Sequence, residues 1–294
     1  MHTPVLTKET MELLSPKEGE TIFEGTGGEG GLSLLIVERL GPKGKLIVTD
    51  LDENNLNIVR YKLSQYGDTS VCKVANFRDI KRTLGDLEIK GVDGILLDLG
   101  LASSQIEESG RGFTFNKNEP LIMTFSSSPD ELTVTARDVV NNWKEESLAE
   151  IFRGFGGERK ADKIARLIMQ ARKSKIIETT GELIEIVKQV YPNKPGRLHP
   201  ATRVFQALRM AVNDEVGAIR QILRDGWSLL NPEARFVVIS FHEIEDREIK
   251  TFFKNMAGKK LGNLVTKKPV LPSRAEVRIN PRSRSAKLRA IVKI

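Results

Sequence analysis

The chain is poor in the residues that most often build covalent or metal frameworks. It has one cysteine, Cys72, which excludes an internal disulfide and any multi-cysteine metal site. That thiol sits in the apolar run Val71 to Ala75, as a buried side chain would. Histidine is also scarce, with only His2, His199 and His242. They form no Ser-His-Asp spacing and no metal-ligand cluster. No apolar stretch reaches the ~20 residues needed to cross a membrane. The start, MHTPVLTKETMELL, lacks the charged-then-apolar layout of a secretory signal. A cytoplasmic location is the expectation. Internal repeats and low-complexity tracts are absent. What is left is an ordinary globular composition, 39% hydrophobic and 29% charged over 294 residues, enough for one large domain or two modest ones.

Against this background one segment stands out. The seven residues Gly25 to Gly31 hold five glycines. They lie between a predicted strand, Thr21 to Phe23, and a predicted helix, Leu32 to Leu40, which Gly41 and Pro42 end. Strand, glycine turn and helix bring a ligand close to bare backbone at a helix N-terminus. A tight βα loop without a ligand is the plain alternative. The next predicted strand, Lys45 to Thr49, is followed by Asp50 and Asp52. An acid about twenty residues past such a turn can accept hydrogen bonds from both hydroxyls of a ribose, so Asp50 points to an adenosine-containing ligand. Gly25, Gly27 and Gly30 fit the loose dinucleotide pattern G-x-G-x-x-G. Glu29, however, puts a carboxylate in the loop, where a pyrophosphate would be repelled. A cationic or zwitterionic ligand such as S-adenosylmethionine suits the loop better, unless Glu29 points to solvent.

The first hundred residues alternate strand and helix. Further strands are predicted at Ser70 to Val74 and Gly94 to Leu97. Further helices are predicted at Glu53 to Gln65 and around Phe77 to Leu84. This is the pattern of a parallel sheet covered on both faces, an α/β fold. Asp98 falls at the carboxyl end of a strand, where ligands of open α/β sheets bind. The pattern breaks at Ser104 to Ser128, and from Asp130 to Tyr191 the periodicity is helical. Ile164, Leu167, Ile168 and Ala171 mark one helix face. Thr179 and Glu182 have capping-box spacing. Pro192, Pro195 and Gly196 end this region. A long helix is predicted from about Pro200 to Leu230, then a strand at Arg235 to Ser240, a helix at Asp246 to Met256 and a strand at Leu288 to Val292. A helical segment therefore interrupts an α/β domain that resumes afterwards.

The net charge is +7, and its distribution is uneven. From Ala257 to Ile294 eleven Lys or Arg face one acid, Glu276. Arg153 to Arg203 has twelve basic and five acidic residues, whereas Gln105 to Phe152 has four and nine. Two basic blocks suit phosphate-backbone binding, and a solvated basic surface explains either block alone.

ILLDLGLASSQ, RGFTF, HPATRVFQALRMAVNDEV, ISFHEIEDR and NPRSRSAKLRA together resemble the bacterial RsmH (MraW) family. The resemblance runs from HTPVL to the last strand. It implies a class I SAM-dependent methyltransferase, Rossmann-like, with an inserted helical substrate-recognition domain, the latter at 105–203 between 1–104 and 204–294. It further implies methylation of N4 of a cytidine in 16S rRNA of the small ribosomal subunit, with S-adenosyl-L-methionine as cofactor and no membrane partner; a homodimer stays open. Carried over by position, the cofactor contacts fall on Gly30, Gly31, Leu32, Asp50, Phe77, Asp98 and Gln105. Asp98 is also the candidate catalytic residue, holding either the cofactor's amino group or the target amine. Phe77 offers a flat face for a purine and would equally serve as core. No metal is implied.

Three departures from the family pattern matter. The family loop usually reads Asp-Gly-Thr-x-Gly-x-Gly-Gly-His-Ser, and here Glu24 replaces the aspartate and Leu32 the histidine. The family segment Pro-Leu-Asp-Met-Arg-Met-Asp appears as Pro120-Leu121-Ile122-Met123-Thr124-Phe125-Ser126, without both acids and the arginine. Tyr-Gly-Glu-Glu becomes Phe155-Gly156-Gly157-Glu158. These changes keep open a methyltransferase-like RNA-binding protein with impaired chemistry, or a methyltransferase for another nucleic acid or a small molecule. His199 and His242 could line a site or serve as hydrogen-bonded structural residues. Arg203 and Arg209 could meet RNA phosphates or cover a solvated helix face.

Overall fold

The computed structural model describes residues 4–191 and 199–294. His2, Pro192, Pro195 and Gly196 lie outside them. Seven strands form one sheet: β1 (Thr21–Glu24), β2 (Lys45–Asp50), β3 (Ser70–Val74), β4 (Val92–Asp98), β5 (Leu230–Ser240), β6 (Gly262–Leu264) and β7 (Lys287–Lys293). Their order is β3-β2-β1-β4-β5-β7-β6. The first five run parallel, and β7 is antiparallel to both of its neighbours.

The sheet forms because its strands are short apolar runs that bury both faces. Alternate residues point to opposite sides. Ile22, Leu46, Leu96 and Val237 join one core, with the helices Thr7–Leu14, Gly31–Leu40 and Glu53–Leu63. Phe23, Ile47, Ile95, Leu97 and Phe236 join the other, with Ile80–Gly85, Glu215–Leu229 and Glu243–Gly258. Cys72 is half-buried, and burial pushes its thiol up to about 11.

The chain divides into two compact units, Met1–Leu101 with Val216–Ile294, and Ala102–Glu215. The second junction therefore falls at 215/216 rather than at 203/204, and the first at 101/102 rather than at 104/105. The reason is the helix Thr202–Val212, which buries Val204, Phe205, Ala207 and Leu208 in the core of the inserted unit. The single helix expected from Pro200 to Leu230 is two. Asn213 and Asp214 break it, and Asp214 takes φ 45°, a left-handed conformation that an α-helix excludes. Elsewhere in this unit Ile164 and Ile168 are buried, and Leu167 and Ala171 pack against the same core. The Thr179–Glu182 capping box forms: Thr179 N–H donates to Glu182 Oε2 at 3.1 Å, and Glu182 N–H to Thr179 Oγ1 at 3.4 Å.

Candidate cofactor and methyl-transfer site

The glycine turn leaves the carboxyl end of β1 and is tied to both neighbouring strands. Gly25 N–H donates to Leu96 O and Gly27 N–H to Thr49 O, each at 2.9 Å. At Gly25 the packing admits no side chain: a Cβ would sit 2.4 Å from Leu97 Cδ2 and 2.7 Å from Phe77 Cβ. Gly30, at φ 75°, is the left-handed residue that starts the helix Gly31–Leu40, which glycine adopts without strain. Leu32 is buried in the first turn of that helix.

Three acids converge on the strand ends around this turn. Asp50 is held against it by its backbone: Oδ2 accepts from Gly28 N–H and Oδ1 from Asp52 N–H, both at 2.8 Å. Asp52, its neighbour in sequence, is spent on capping the helix Glu53–Leu63 through Asn54 N–H. Asp98 ends β4; its N–H donates to Thr26 Oγ1 at 2.7 Å, and its Oδ1 accepts from Gly100 N–H at 3.0 Å. Glu24 ends β1, is 1% exposed, and accepts from the Ser33 hydroxyl at 2.6 Å.

Crowding and burial make these carboxyls hard to ionise. Desolvation pushes Glu24 up to about 8, and the like charges of Asp98 and Asp50 add to it against the Ser33 hydrogen bond. Desolvation likewise raises Asp50 to about 6 despite its backbone hydrogen bonds, and Asp98 to about 6 with help from Glu245. A cation placed among them would relieve that strain, and a pyrophosphate would add to it.

Phe77 stands beside Gly25, half-buried and packed against the second core. Gly30, Gly31, Leu32, Asp50, Phe77 and Asp98 thus gather at the carboxyl ends of β1, β2 and β4. Gln105 lies in the other unit, on the helix Ser103–Glu107, with its Oε1 accepting from Ala102 N–H at 3.0 Å.

Both described histidines are engaged by neighbouring residues. His242 caps Glu243–Gly258, its Nδ1 accepting from Glu245 N–H at 3.3 Å. His199 stacks on Phe115 with ring centroids 4.5 Å apart. Arg209 makes a two-pronged ion pair with Glu215, at 2.7 and 3.0 Å, which removes it from the phosphate-binding candidates. Arg203 remains exposed.

Two residues quoted only within motifs prove to hold the altered segment Ile122 to Ser126. The buried Arg111 donates from Nη1 to Thr124 O at 3.0 Å and to Phe125 O at 2.7 Å. Asn213 donates to Met123 O at 2.7 Å and to Arg209 O at 2.9 Å, and accepts from Phe125 N–H at 2.8 Å. Met123 takes φ 57° within this clamp.

The strand order, the antiparallel β7 and the glycine turn after β1 followed by an acid at the end of β2 define a Rossmann-like methyltransferase domain of class I. A family model described as the MraW methylase family matches residues 1–294. The chain is 41% identical over 310 residues to a protein named ribosomal RNA small subunit methyltransferase H from Symbiobacterium thermophilum, covering 100% of this chain and 96% of that one. Proteins of the same name from Syntrophotalea carbinolica and Deinococcus deserti are each 42% identical, over 99% and 100% of this chain and 97% and 94% of theirs. The chain belongs to the MraW methylase family.

Proposed function

We propose that the protein transfers a methyl group from S-adenosylmethionine to N4 of a cytidine in 16S rRNA of the small ribosomal subunit. The full-length relatives named as small-subunit methyltransferases support the substrate class. The observation that carries the cofactor reading is the ring of three carboxyls, Glu24, Asp50 and Asp98, all raised by burial. Such a donor set fits a sulfonium and an amino group, and it does not fit a pyrophosphate.

When bound, the cofactor supplies an electrophilic methyl, already activated by the sulfonium. What the protein adds is alignment. Asp50, fixed by two backbone N–H groups, would accept from the ribose hydroxyls. Gly30, Gly31 and Leu32 would let the ligand approach the backbone, and Phe77 would offer its face to the adenine. Asp98 has one oxygen committed to Gly100 N–H. Its other oxygen would accept an N–H of the target amine, drawing the N4 lone pair out of conjugation, and would take the proton that N4 loses as it gains the methyl. The cytidine must leave its stack to reach this point, which single-stranded or looped RNA permits most readily.

The test is transfer of labelled methyl from S-adenosylmethionine to 30S subunits that lack the modification. Transfer to one cytidine supports the proposal. Tight cofactor binding without transfer would instead favour a binding-only protein, the reading that the neutral segment Ile122 to Ser126 motivates. No cofactor binding by calorimetry would sink both.

A further inference from the structure

The basic segment between β6 and β7 has a defined place in the fold. β6 ends at Leu264 opposite Ile291 of β7, and the chain continues along β7 through Val265 N–H to Ala290 O and the Val270–Leu288 bridge. β7 starts at Lys287 opposite Ser240, the last residue of β5. Residues 271–286 are therefore at the carboxyl end of the sheet, the end that carries the glycine turn, Asp50 and Asp98.

This excursion is strongly positive. Lys267, Lys268, Arg274, Arg278, Arg282 and Arg284 are all exposed. Among the described residues Lys267, Lys268, Arg274, Arg278 and Arg284 form no ion pair. Neighbouring cations behave differently: Lys287 and Arg289 share Asp246, at 3.3 and 2.6 Å. The single acid of the segment, Glu276, is turned inward, its Oε1 accepting from Leu6 N–H at 2.8 Å. Two residues earlier, Pro4 packs on Gly31 so closely that a Cβ there would lie 2.4 Å from Pro4 Cγ. A short chain of contacts thus ties the basic helix Arg274–Ile279 to the cofactor turn. No aromatic residue lies between Val265 and Ala286, so the surface has charge without a stacking platform.

We infer that residues 267–284 form a docking surface for the phosphate backbone of the RNA, beside the cofactor turn. Arg274, Arg278 and Arg284 contribute exposed charge from the helix and the turn that follows it, and the surface reads backbone rather than base sequence. This rests on the RNA-methylating reading, and the two can fail separately.

The experiment compares two triple variants for binding to unmodified 30S subunits and to a single-stranded RNA oligonucleotide, across a salt series. One is Arg274→Gln/Arg278→Gln/Arg284→Gln. The other, Lys17→Gln/Lys43→Gln/Lys90→Gln, removes the same charge from exposed residues leading into the amino ends of β1, β2 and β4. The arginine variant is expected to lose roughly tenfold or more in affinity, and its plot of log affinity against log salt should flatten by about two, at ~0.7 per lost phosphate contact. The lysine variant should stay near wild type, and both should bind cofactor as wild type does, which reports folding. Equal losses in the two variants, no loss in the arginine variant, or a preference for duplex DNA would overturn the surface assignment even if the wild type methylates. A wild type that binds RNA here but transfers no methyl would overturn the proposed reaction and leave the surface standing.

Discussion

Glu24 and Ser33 meet at 2.6 Å in a space from which water is excluded, the two residues being 1% and 0% exposed. The pair joins the last residue of β1 to the first turn of the helix Gly31–Leu40, and so spans the glycine turn. Removing one partner leaves the other buried without a hydrogen bond, at a cost of ~1–3 kcal/mol. Ser33→Ala should therefore lower the free energy of unfolding, read from a urea titration, by that much. Glu24→Gln, which keeps the reach and one acceptor, should lower it far less. Equal stability of Ser33→Ala and wild type would show that the pair does not brace the turn.

The raised carboxyls give the fold a pH dependence of definite sign. Glu24 sits at about 8 against an ordinary 4.5. Between those values the folded state keeps a proton that the unfolded state has lost, so stability falls as pH rises through that window. Glu24→Gln should flatten the decline in a denaturation series. The same chemistry predicts proton release when a cation binds. Calorimetry in buffers of different ionisation enthalpy should show more protons released with S-adenosylmethionine than with S-adenosylhomocysteine, which lacks the sulfonium. Identical release for the two ligands would remove the carboxyl ring from cofactor recognition.

Asp50 is oriented by Gly28 and Asp52 before any ligand arrives. Asp50→Ala removes a charged acceptor from both ribose hydroxyls, each such hydrogen bond being worth ~1.5–3 kcal/mol. Cofactor affinity should fall by about a hundredfold or more. An unchanged dissociation constant would refute the ribose assignment.

Asp98→Asn keeps the side chain's shape and removes its charge. If Asp98 accepts from the target amine, kcat should fall by ~10²–10⁴, with cofactor affinity reduced far less. A loss confined to cofactor binding would place Asp98 on the cofactor's amino group instead.

In the inserted unit, Asn213→Ala should cost ~2–3 kcal/mol, because three hydrogen bonds to Met123, Phe125 and Arg209 go with it. Thermal unfolding monitored on the inserted unit would detect it. A melting curve superimposable on wild type would mean that Arg111 alone holds the segment.

The strands and the glycine turn were legible in the sequence because apolar runs and glycine clusters are local signals. Ser70 to Val74 has the bounds read from sequence, and Asp50 and Asp98 fall at the strand ends where they were expected. The interruption of the helix at Asp214 was not legible, since a left-handed residue is chosen by tertiary packing around Asn213 and not by the helical pattern on either side. The helix Thr7–Leu14 and the short β6 were missed because each is marginal alone and forms against a sheet that comes from elsewhere in the chain. Glu24 appeared in sequence as a conservative departure from aspartate. Its partner Ser33, nine residues on, emerges only once the turn is folded.

The hydrogen bond between Leu6 and Glu276 joins residues 270 positions apart. A ribosome making this chain can release β1 to β4 early, but that four-stranded half exposes the edge of β4 until β5 arrives after the whole inserted unit. Only later does β7 enter between β5 and β6, and only then does the helix Arg274–Ile279 reach Leu6. The segment that presses Pro4 onto the glycine turn therefore stays unanchored until residues 274–279 have been made. Nascent chains stalled before that point carry an unpaired, apolar strand edge, the feature that recruits chaperones or aggregates. Cofactor affinity should accordingly appear abruptly during synthesis, only after the helix Arg274–Ile279 has emerged.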